Sequence, residues 1–263
     1  MSGLEHWLQT PPGGYALAWE QAQYNALVAD IFGYHALQLN PASNLPAVDA
    51  LATNRMPHRW RAALTLPGLH SDEAAALDTL DTHTPPCSSI ALVTDLAALP
   101  FPEASLDLVA LPHTLAYCSD PAAALREVAR VLVHEGCMVV SGFNRASLWG
   151  LSGALPADAA PIGARHLRAM LNGTELELET VRYGGHGWAP RAPSHTPDGP
   201  MQGPSPHWSA RLWPARGALW CAVAVKRSPG PKLAGQIWKT QLAAANAQPS
   251  VAQRTEPATD AVN

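Results

Sequence analysis

The sequence of 263 residues has few of the features that mark nucleic-acid-binding, metal-binding or membrane proteins. Lys and Arg number 17 against 21 Asp and Glu, so the net charge of −4 provides no basic field for a nucleic-acid partner. The four cysteines lack CxxC spacing, which indicates neither a zinc site nor a disulfide framework. The chain contains no uninterrupted apolar span of about 18 residues and opens without a basic, apolar leader. We therefore expect a cytoplasmic protein without a membrane span.

Sequence motifs of several large enzyme classes are also missing. The chain has no GxSxG, P-loop or HExxH pattern, which argues against hydrolase, nucleoside-triphosphate and zinc-protease chemistry. His186, His195 and His207 are scattered through a proline-rich segment and lack the helical spacing of metal ligands. We therefore expect no metal site.

One stretch, Ser89–Gly150, carries most of the interpretable pattern. Its apolar runs and one amphipathic repeat follow the order strand, loop, strand, helix, strand, which is typical of a doubly wound α/β sheet. The first apolar run ends at Asp95, and the next, Leu108–Leu111, is followed closely by His113. Because ligands bind at the carboxyl ends of parallel strands, we expect both side chains at the ligand-binding edge.

The helix and the third strand of this stretch have recognisable boundary signals. Asp120 followed by Pro121 predicts a helix start, because the carboxylate can cap free N–H groups and proline fits the first turn. Gly136 is expected to end that helix. The apolar run Cys137–Ser141 predicts the third strand, which brings Asn144 to the ligand edge. There Asn144 would either hold an acceptor molecule or support the floor of the pocket.

Three strings, DLAALPFPEASLDLV, LPHTLAYCSDPAAALREVARVL and EGCMVVSGFN, resemble the second half of a class I S-adenosylmethionine-dependent methyltransferase of the type 11 group. The extension GFNRASLWGL, together with FGYHALQLN nearer the N-terminus, is similar to the uncharacterised bacterial YafS-like subgroup. The resemblance is specific over residues 93–150 and extends at fold level over residues 16–226. It implies an α/β fold, a three-layer αβα sandwich with a Rossmann-like, seven-stranded, mostly parallel sheet. It also implies S-adenosylmethionine as the cofactor.

The resemblance assigns roles to individual residues. Asp95 matches the carboxylate that receives the adenine amino group, and Leu96 would add a backbone N–H to the adenine ring. The alternative for Asp95 is a helix cap or a turn cap. His113 stands where the family places the residue between the methionine end of the cofactor and the acceptor. An imidazole there suits a general base, and the alternative is a strand-end residue that contributes only its backbone.

The loop after the first predicted strand departs from the family pattern. That strand, Tyr34–Leu39, ends at Asn40, which we expect to contact the cofactor where the family has a glycine. No glycine follows through Asn44, and the next strand, Trp60–Leu66, ends without the acidic residue that holds the ribose hydroxyls in the family. Two functions therefore stay open. The first is S-adenosylmethionine-dependent methyl transfer to a small-molecule acceptor, and the alternative is a catalytically inactive methyltransferase fold that serves as a binding or scaffold partner.

The predicted methyltransferase-like domain spans residues 1–227, and the composition of residues 228–263 fits a disordered tail. Residues 1–15 form a turn-rich entry ahead of a helix over Leu17–Ile31, which would act as a lid or simply cover the sheet. A Gly-, Pro-, His- and Trp-rich loop over residues 184–214 is interpreted as either a lid or an insertion. The oligomeric state is not indicated by the sequence.

Overall fold

The computed structural model contains both helices and strands and describes residues 3–42, 48–64, 92–190 and 216–227. The elements, in chain order, are α1 (Gly3–Leu8), α2 (Pro11–Val28), β1 (His35–Asn40), β2 (His58–Leu64), β3 (Leu92–Thr94), β4 (Leu106–Leu111), a 3-10 turn (Thr114–Tyr117), α3 (Pro121–Val131), β5 (Leu132–Phe143), α4 (Leu148–Leu151), α5 (Ala164–Leu171), β6 (Leu176–Gly184) and β7 (Leu219–Lys226). All of the described residues belong to one compact unit, Met1–Ser228.

The seven strands form one sheet in the order β3-β2-β1-β4-β5-β7-β6. The pairs from β3 through β5 are parallel, whereas β7 runs antiparallel to both β5 and β6. β1 lies inside the sheet between β2 and β4, so its carboxyl end opens at the middle of the ligand edge. The predicted seven-stranded, mostly parallel sheet is confirmed.

Successive residues of the inner strands point to opposite faces and supply two separate apolar clusters. On β4, Leu108 and Ala110 pack with Tyr24 and Val28 of α2, while the residues between them face the other side. That other side is covered by α3 and α5, whose buried leucines join the second cluster. Helices on both faces of one sheet confirm the three-layer αβα sandwich.

The N-terminal cover, formed by α1 and α2, begins differently from the turn-rich entry that the sequence predicts. Residues 1–15 do not form a turn-rich entry in the described part, because α1 occupies Gly3–Leu8 and α2 already starts at Pro11. Proline suits the first turn of a helix, and the Thr10 hydroxyl accepts a hydrogen bond from the Gly13 backbone at 3.4 Å. Gly13 also allows close packing, since a Cβ there would lie 2.2 Å from the Trp7 carbonyl oxygen.

The start of α3 confirms the predicted cap, but its end does not lie where the sequence placed it. The Asp120 carboxylate accepts hydrogen bonds from the Ala122 and Ala123 backbones at 3.0 and 2.9 Å. The helix ends at Val131 rather than near Gly136, because Leu132 already pairs with β4 and begins β5. Gly136 lies within that strand. Pairing with the sheet outweighed the local stop signal of the glycine.

Several expectations fall on parts of the chain that the structure does not describe. The predicted tail, residues 228–263, lies outside the described residues, as does most of the loop over residues 184–214. Among the residues that are described, no helix has both the length and the apolar character needed to cross a membrane. The same residues contain no group of three or more His, Cys, Asp and Glu side chains placed to hold a metal ion.

Candidate functional site

The carboxyl ends of the parallel strands bring four of the predicted site residues to one edge of the sheet. Asp95 follows β3, Asn40 ends β1, His113 follows β4 and Asn144 follows β5. β3 and β4 are separated by three inter-strand steps of about 4.8 Å each, which places their ends about 14 Å apart. Along this edge Asn40 lies between Asp95 and His113, and Asn144 lies one strand beyond His113.

The His113 side chain is buried and held from several sides. Its backbone adopts a left-handed conformation with φ of 55°, and the residue is only 5% exposed. The imidazole stacks on the Phe143 ring, with centroids 4.2 Å apart and planes tilted by 9°. The His113 backbone N–H donates to the Ser141 hydroxyl at 3.4 Å. These contacts fix the orientation of the ring.

A carboxylate from the N-terminal cover meets this imidazole. Nε2 of His113 lies 2.7 Å from Oε2 of Glu20, which is completely buried on α2. The distance is that of an ion pair, and neither atom has a hydrogen bond to any other described residue. Within the described part of the chain, Nδ1 of His113 also lacks a hydrogen-bond partner. The site thus contains a buried acid, a buried base and one ring nitrogen without a partner.

Glu20 was not singled out in the sequence, although α2 carries a signal that points to it. Its buried side chains include a row at intervals of four residues, formed by Ala16, Glu20, Tyr24 and Val28. Residues four apart lie on the same face of a helix, so one acidic member of an otherwise mostly apolar row is a buried charge. Its partner at His113 is 93 residues away and could not be identified from the sequence alone.

Two further titratable groups lie close to the pair. Tyr24 donates its hydroxyl to Ser141 Oγ at 3.4 Å, and burial raises the pKa of Tyr24 well above its usual range. Burial likewise raises the pKa of the Cys221 thiol, with a smaller contribution from the Glu20 charge. Both groups therefore stay neutral at ordinary pH.

Asn40 is part of a hydrogen-bond network that fixes the end of the loop after β1. It is 4% exposed, and its Oδ1 accepts a hydrogen bond from Gln38 Nε2 at 2.9 Å. Gln38 also donates to the Val48 carbonyl at 2.7 Å and accepts from the Ala50 backbone at 2.9 Å. The network ties β1 to the chain returning from this loop, so the amide oxygen of Asn40 is already engaged.

Asp95 lies in an exposed turn directly after β3. Its Oδ1 accepts a hydrogen bond from the Ala97 backbone at 3.0 Å, while the neighbouring Leu96 is completely buried. Burial raises the pKa of the nearby Cys118 thiol, and the Asp95 charge adds to that rise. One carboxylate oxygen therefore caps the turn, and the exposed position of the residue is compatible with a ligand contact.

Asn144 is bonded to the backbone at both ends of its amide. Nδ2 donates to the Gly217 carbonyl at 2.9 Å, and Oδ1 accepts from the Ala146 backbone at 3.1 Å. The first of these bonds joins the end of β5 to a residue two positions before β7, and the second is local to the turn after β5. They favour the interpretation that Asn144 supports the floor of the pocket, and its contact with an acceptor stays a prediction.

Comparison with known sequences gives a match to one family. Residues 70–140 match the model of a family described as methyltransferase domain. The uncharacterised protein YafS of Escherichia coli (strain K12) is 43% identical over 74 residues. That alignment covers 27% of this chain and 31% of YafS, so the chain matches less than a third of the length of this relative.

Comparison with solved structures concerns the fold. An S-adenosylmethionine-dependent methyltransferase of Thermotoga maritima, described as a possible histamine N-methyltransferase, has a TM-score of 0.55 at 15% identity and covers 85% of this chain and 94% of its own. A methyltransferase of Haloferax volcanii, solved with the Trm112 methyltransferase activator, has a TM-score of 0.54 at 16% identity and covers 87% and 99%. At these identities the likeness shows the fold.

A methyltransferase domain implies S-adenosylmethionine as its cofactor, and the residues at the sheet edge fit such a molecule. Asp95 offers an exposed carboxylate that can accept a hydrogen bond from an amino group. His113, three inter-strand steps away, offers a buried ring nitrogen that has no hydrogen-bond partner among the described residues. Both follow parallel strands, at the edge where ligands bind in open α/β sheets. The chain thus has the fold of the class I S-adenosylmethionine-dependent methyltransferases and carries, over residues 70–140, a match to the methyltransferase domain family.

Proposed function

We propose that the protein transfers the methyl group of S-adenosylmethionine to a small-molecule acceptor at the edge formed by the ends of β1, β3, β4 and β5. The observation that carries this proposal is His113, a buried imidazole with an unpartnered nitrogen at the end of a central parallel strand. Buried polar groups without partners are rare in folded proteins and call for an explanation such as a catalytic role.

The bound cofactor would supply an activated methyl carbon, and the residues of this chain would hold and align the reactants. Asp95 and the Leu96 backbone are proposed to hold the adenine, and Asn40 to line the middle of the edge. His113 would contact the methionine end of the cofactor and accept a proton from the acceptor. Asn144 would contact the acceptor or keep the floor of the pocket in place. Alignment supplies much of the catalysis in such a displacement.

Two observations support a small acceptor. The imidazole of His113 lies beneath the N-terminal cover, because its Nε2 meets Glu20 of α2 and its ring stacks on Phe143. A residue that is only 5% exposed suits a molecule that can be enclosed. The net charge of −4 also offers no electrostatic attraction for a nucleic acid.

Calorimetric titration of S-adenosylmethionine into the wild type and Asp95→Ala tests the proposal. We expect micromolar binding by the wild type, about −8 kcal/mol. Loss of a hydrogen bond to a charged group removes about 1.5–3 kcal/mol, so Asp95→Ala should bind roughly 10- to 150-fold more weakly. Asp30→Ala is the matched control, since Asp30 is exposed just before β1 at the opposite edge of the sheet and should leave the affinity unchanged.

The alternative function is a catalytically inactive methyltransferase fold that acts as a binding or scaffold partner. It is favoured by the loop after β1, which has Asn40 and Pro41 where the family resemblance implies glycine. Proline fixes φ near −65° and restricts how closely the backbone can follow a ligand. Absence of heat up to millimolar S-adenosylmethionine would reject the methyltransferase proposal in favour of this alternative.

A further inference from the structure

Glu20 is the acidic member of a buried row on α2 whose other members are Ala16, Tyr24 and Val28. Its side chain is completely buried, and neither carboxylate oxygen has a hydrogen-bond partner among the described residues. Removing a carboxylate from water is costly in free energy unless an opposite charge and hydrogen bonds offset the loss. An apolar residue would therefore pack α2 onto the sheet more favourably, which indicates that the acid serves the site rather than the fold.

The position of the carboxylate determines which nitrogen of His113 is left for a ligand. Nε2 lies 2.7 Å from Oε2 of Glu20, and stacking on Phe143 prevents the ring from turning freely. In a neutral imidazole one nitrogen carries the proton and the other accepts a hydrogen bond. A carboxylate beside Nε2 favours the proton on that nitrogen, so the lone pair of Nδ1 remains for an acceptor molecule.

The other titratable groups around the pair contribute little charge. Tyr24 on α2 and Cys221 on β7 both have a pKa raised by burial and are neutral at ordinary pH. Arg182 on β6 pairs directly with Cys221 across the two strands, where its positive charge lowers the pKa of that thiol, and it donates a hydrogen bond to Gln23 on α2. Among the described residues packed against His113, the negative charge therefore comes from Glu20.

We infer that Glu20 is the positioning residue of His113, and that the pair serves an acceptor with an O–H or N–H group rather than a thioether or a tertiary amine. The inference rests on the proposed function. As the acceptor oxygen or nitrogen bonds to the methyl carbon, the carbon–sulfur bond breaks and its electron pair stays on sulfur. The acceptor proton passes to Nδ1 of His113, and Glu20 stabilises the resulting imidazolium.

If the contact between Glu20 and His113 were purely structural, it would hold α2 against the ends of the strands. It would then contribute to the stability of the fold, and its loss would weaken ligand binding and turnover together. A positioning role predicts a different pattern, because the proton transfer takes place only during the chemical step. Its loss lowers kcat while the affinity for the cofactor and the KM for the acceptor are retained.

The experiment compares the wild type with Glu20→Gln, Glu20→Asp and the control Glu177→Gln, which makes the same change at an exposed position of β6. Each protein receives S-adenosylmethionine with a labelled methyl group and phenol, benzylamine or methyl phenyl sulfide as the acceptor probe. Calorimetry measures the affinity for the cofactor. Proton NMR follows the exchangeable imidazole N–H resonance, which lies far downfield of the amides. The variant His113→Asn assigns this resonance by its loss, and asparagine is chosen because it tolerates the positive φ of this position.

We expect the wild type to transfer label to phenol or benzylamine and not to the sulfide. Glu20→Gln should keep the wild-type cofactor affinity and KM, lose the downfield resonance, and lower kcat by at least about tenfold, the lower part of the range for lost acid–base help. Glu20→Asp should recover part of kcat because it keeps the charge. Glu177→Gln should match the wild type in every measurement.

Three results would overturn the inference: an unchanged kcat in Glu20→Gln, retention of the downfield resonance in that variant, or transfer to the sulfide as fast as to the protic probes. A wild type that binds the cofactor and methylates no probe would also overturn it. Failure of the wild type to bind S-adenosylmethionine rejects the proposed function instead, while the NMR comparison still reports on the pair. If Glu20→Gln does not fold, Glu20→Asp replaces it: its shorter side chain draws the carboxylate away from Nε2, so kcat should fall below that of the wild type while the cofactor affinity is retained, and an unchanged kcat would overturn the inference.

Discussion

Gly142 on β5 faces the ring of Trp220 on β7, and the contact leaves no room for a side chain. The two residues are paired directly across the antiparallel strands. A Cβ on Gly142 would lie 2.6 Å from Cζ2 of Trp220, whereas ordinary contacts begin at 3.4 Å, so the ring would have to move by about 0.8 Å. The next residue, Phe143, stacks on His113, so this packing also supports the candidate site.

The Trp220 ring has little freedom to make that movement. It is 1% exposed, and its Nε1–H donates to the Ile162 carbonyl at 2.8 Å and to the Phe143 carbonyl at 3.3 Å. Overpacking a core costs about 1–3 kcal/mol, and loss of the indole hydrogen bond adds about 1 kcal/mol. We therefore expect Gly142→Ala to lower the free energy of unfolding by about 2–4 kcal/mol. The corresponding fall in Tm is roughly 5–15 °C.

Urea denaturation and thermal melting of Gly142→Ala check this expectation. Gly14→Ala is the control, because Gly14 is exposed in α2 and a Cβ on it would meet nothing within 4 Å, so alanine there should stabilise by about 0.5–1 kcal/mol. In a Trp220→Leu background the clash is gone, so adding Gly142→Ala should cost under about 1 kcal/mol. A Gly142→Ala protein as stable as the wild type, or one equally destabilised in the Trp220→Leu background, would refute the reasoning.

Two further predictions concern the cap of α3 and the buried thiols. Asp120→Ala removes the acceptor of two backbone N–H groups and should lower the free energy of unfolding in urea by about 1 kcal/mol; an unchanged midpoint would contradict the cap. Burial raises the pKa of Cys118 and, more strongly, that of Cys221. Iodoacetamide at pH 8 should therefore modify Cys118 slowly, and the rate should rise with pH as the thiolate forms. Cys221 should react only after the protein unfolds. Mass spectrometry measures both reactions, and equal modification of the two thiols in the native protein would contradict this order.

The order of the elements could be predicted because it depends on local patterns. Apolar runs such as Leu108–Leu111 and the cap at Asp120 act through neighbouring residues, and the structure confirms both. The expectation that α3 ends at Gly136 was wrong, because the end of this helix depends on a distant contact rather than on a local pattern. Leu132 pairs with a strand more than twenty residues earlier, and this distant contact decides where the helix ends. The entry over residues 1–15 was also wrong, since α1 packs on α2 through Gly13 and Trp7.

For the candidate site, the sequence by itself determined which residues reach the carboxyl edge of the sheet, because strand ends follow from apolar runs. Asp95 and His113 were found in this way. Only the tertiary structure decided that three inter-strand steps separate them along this edge, and that Glu20 meets His113 within 2.7 Å. The buried row on one face of α2 indicates that Glu20 is a buried acid. Which residue it meets, however, depends on how α2 lies across the strands. That placement results from packing between segments far apart in the chain, which no local pattern encodes.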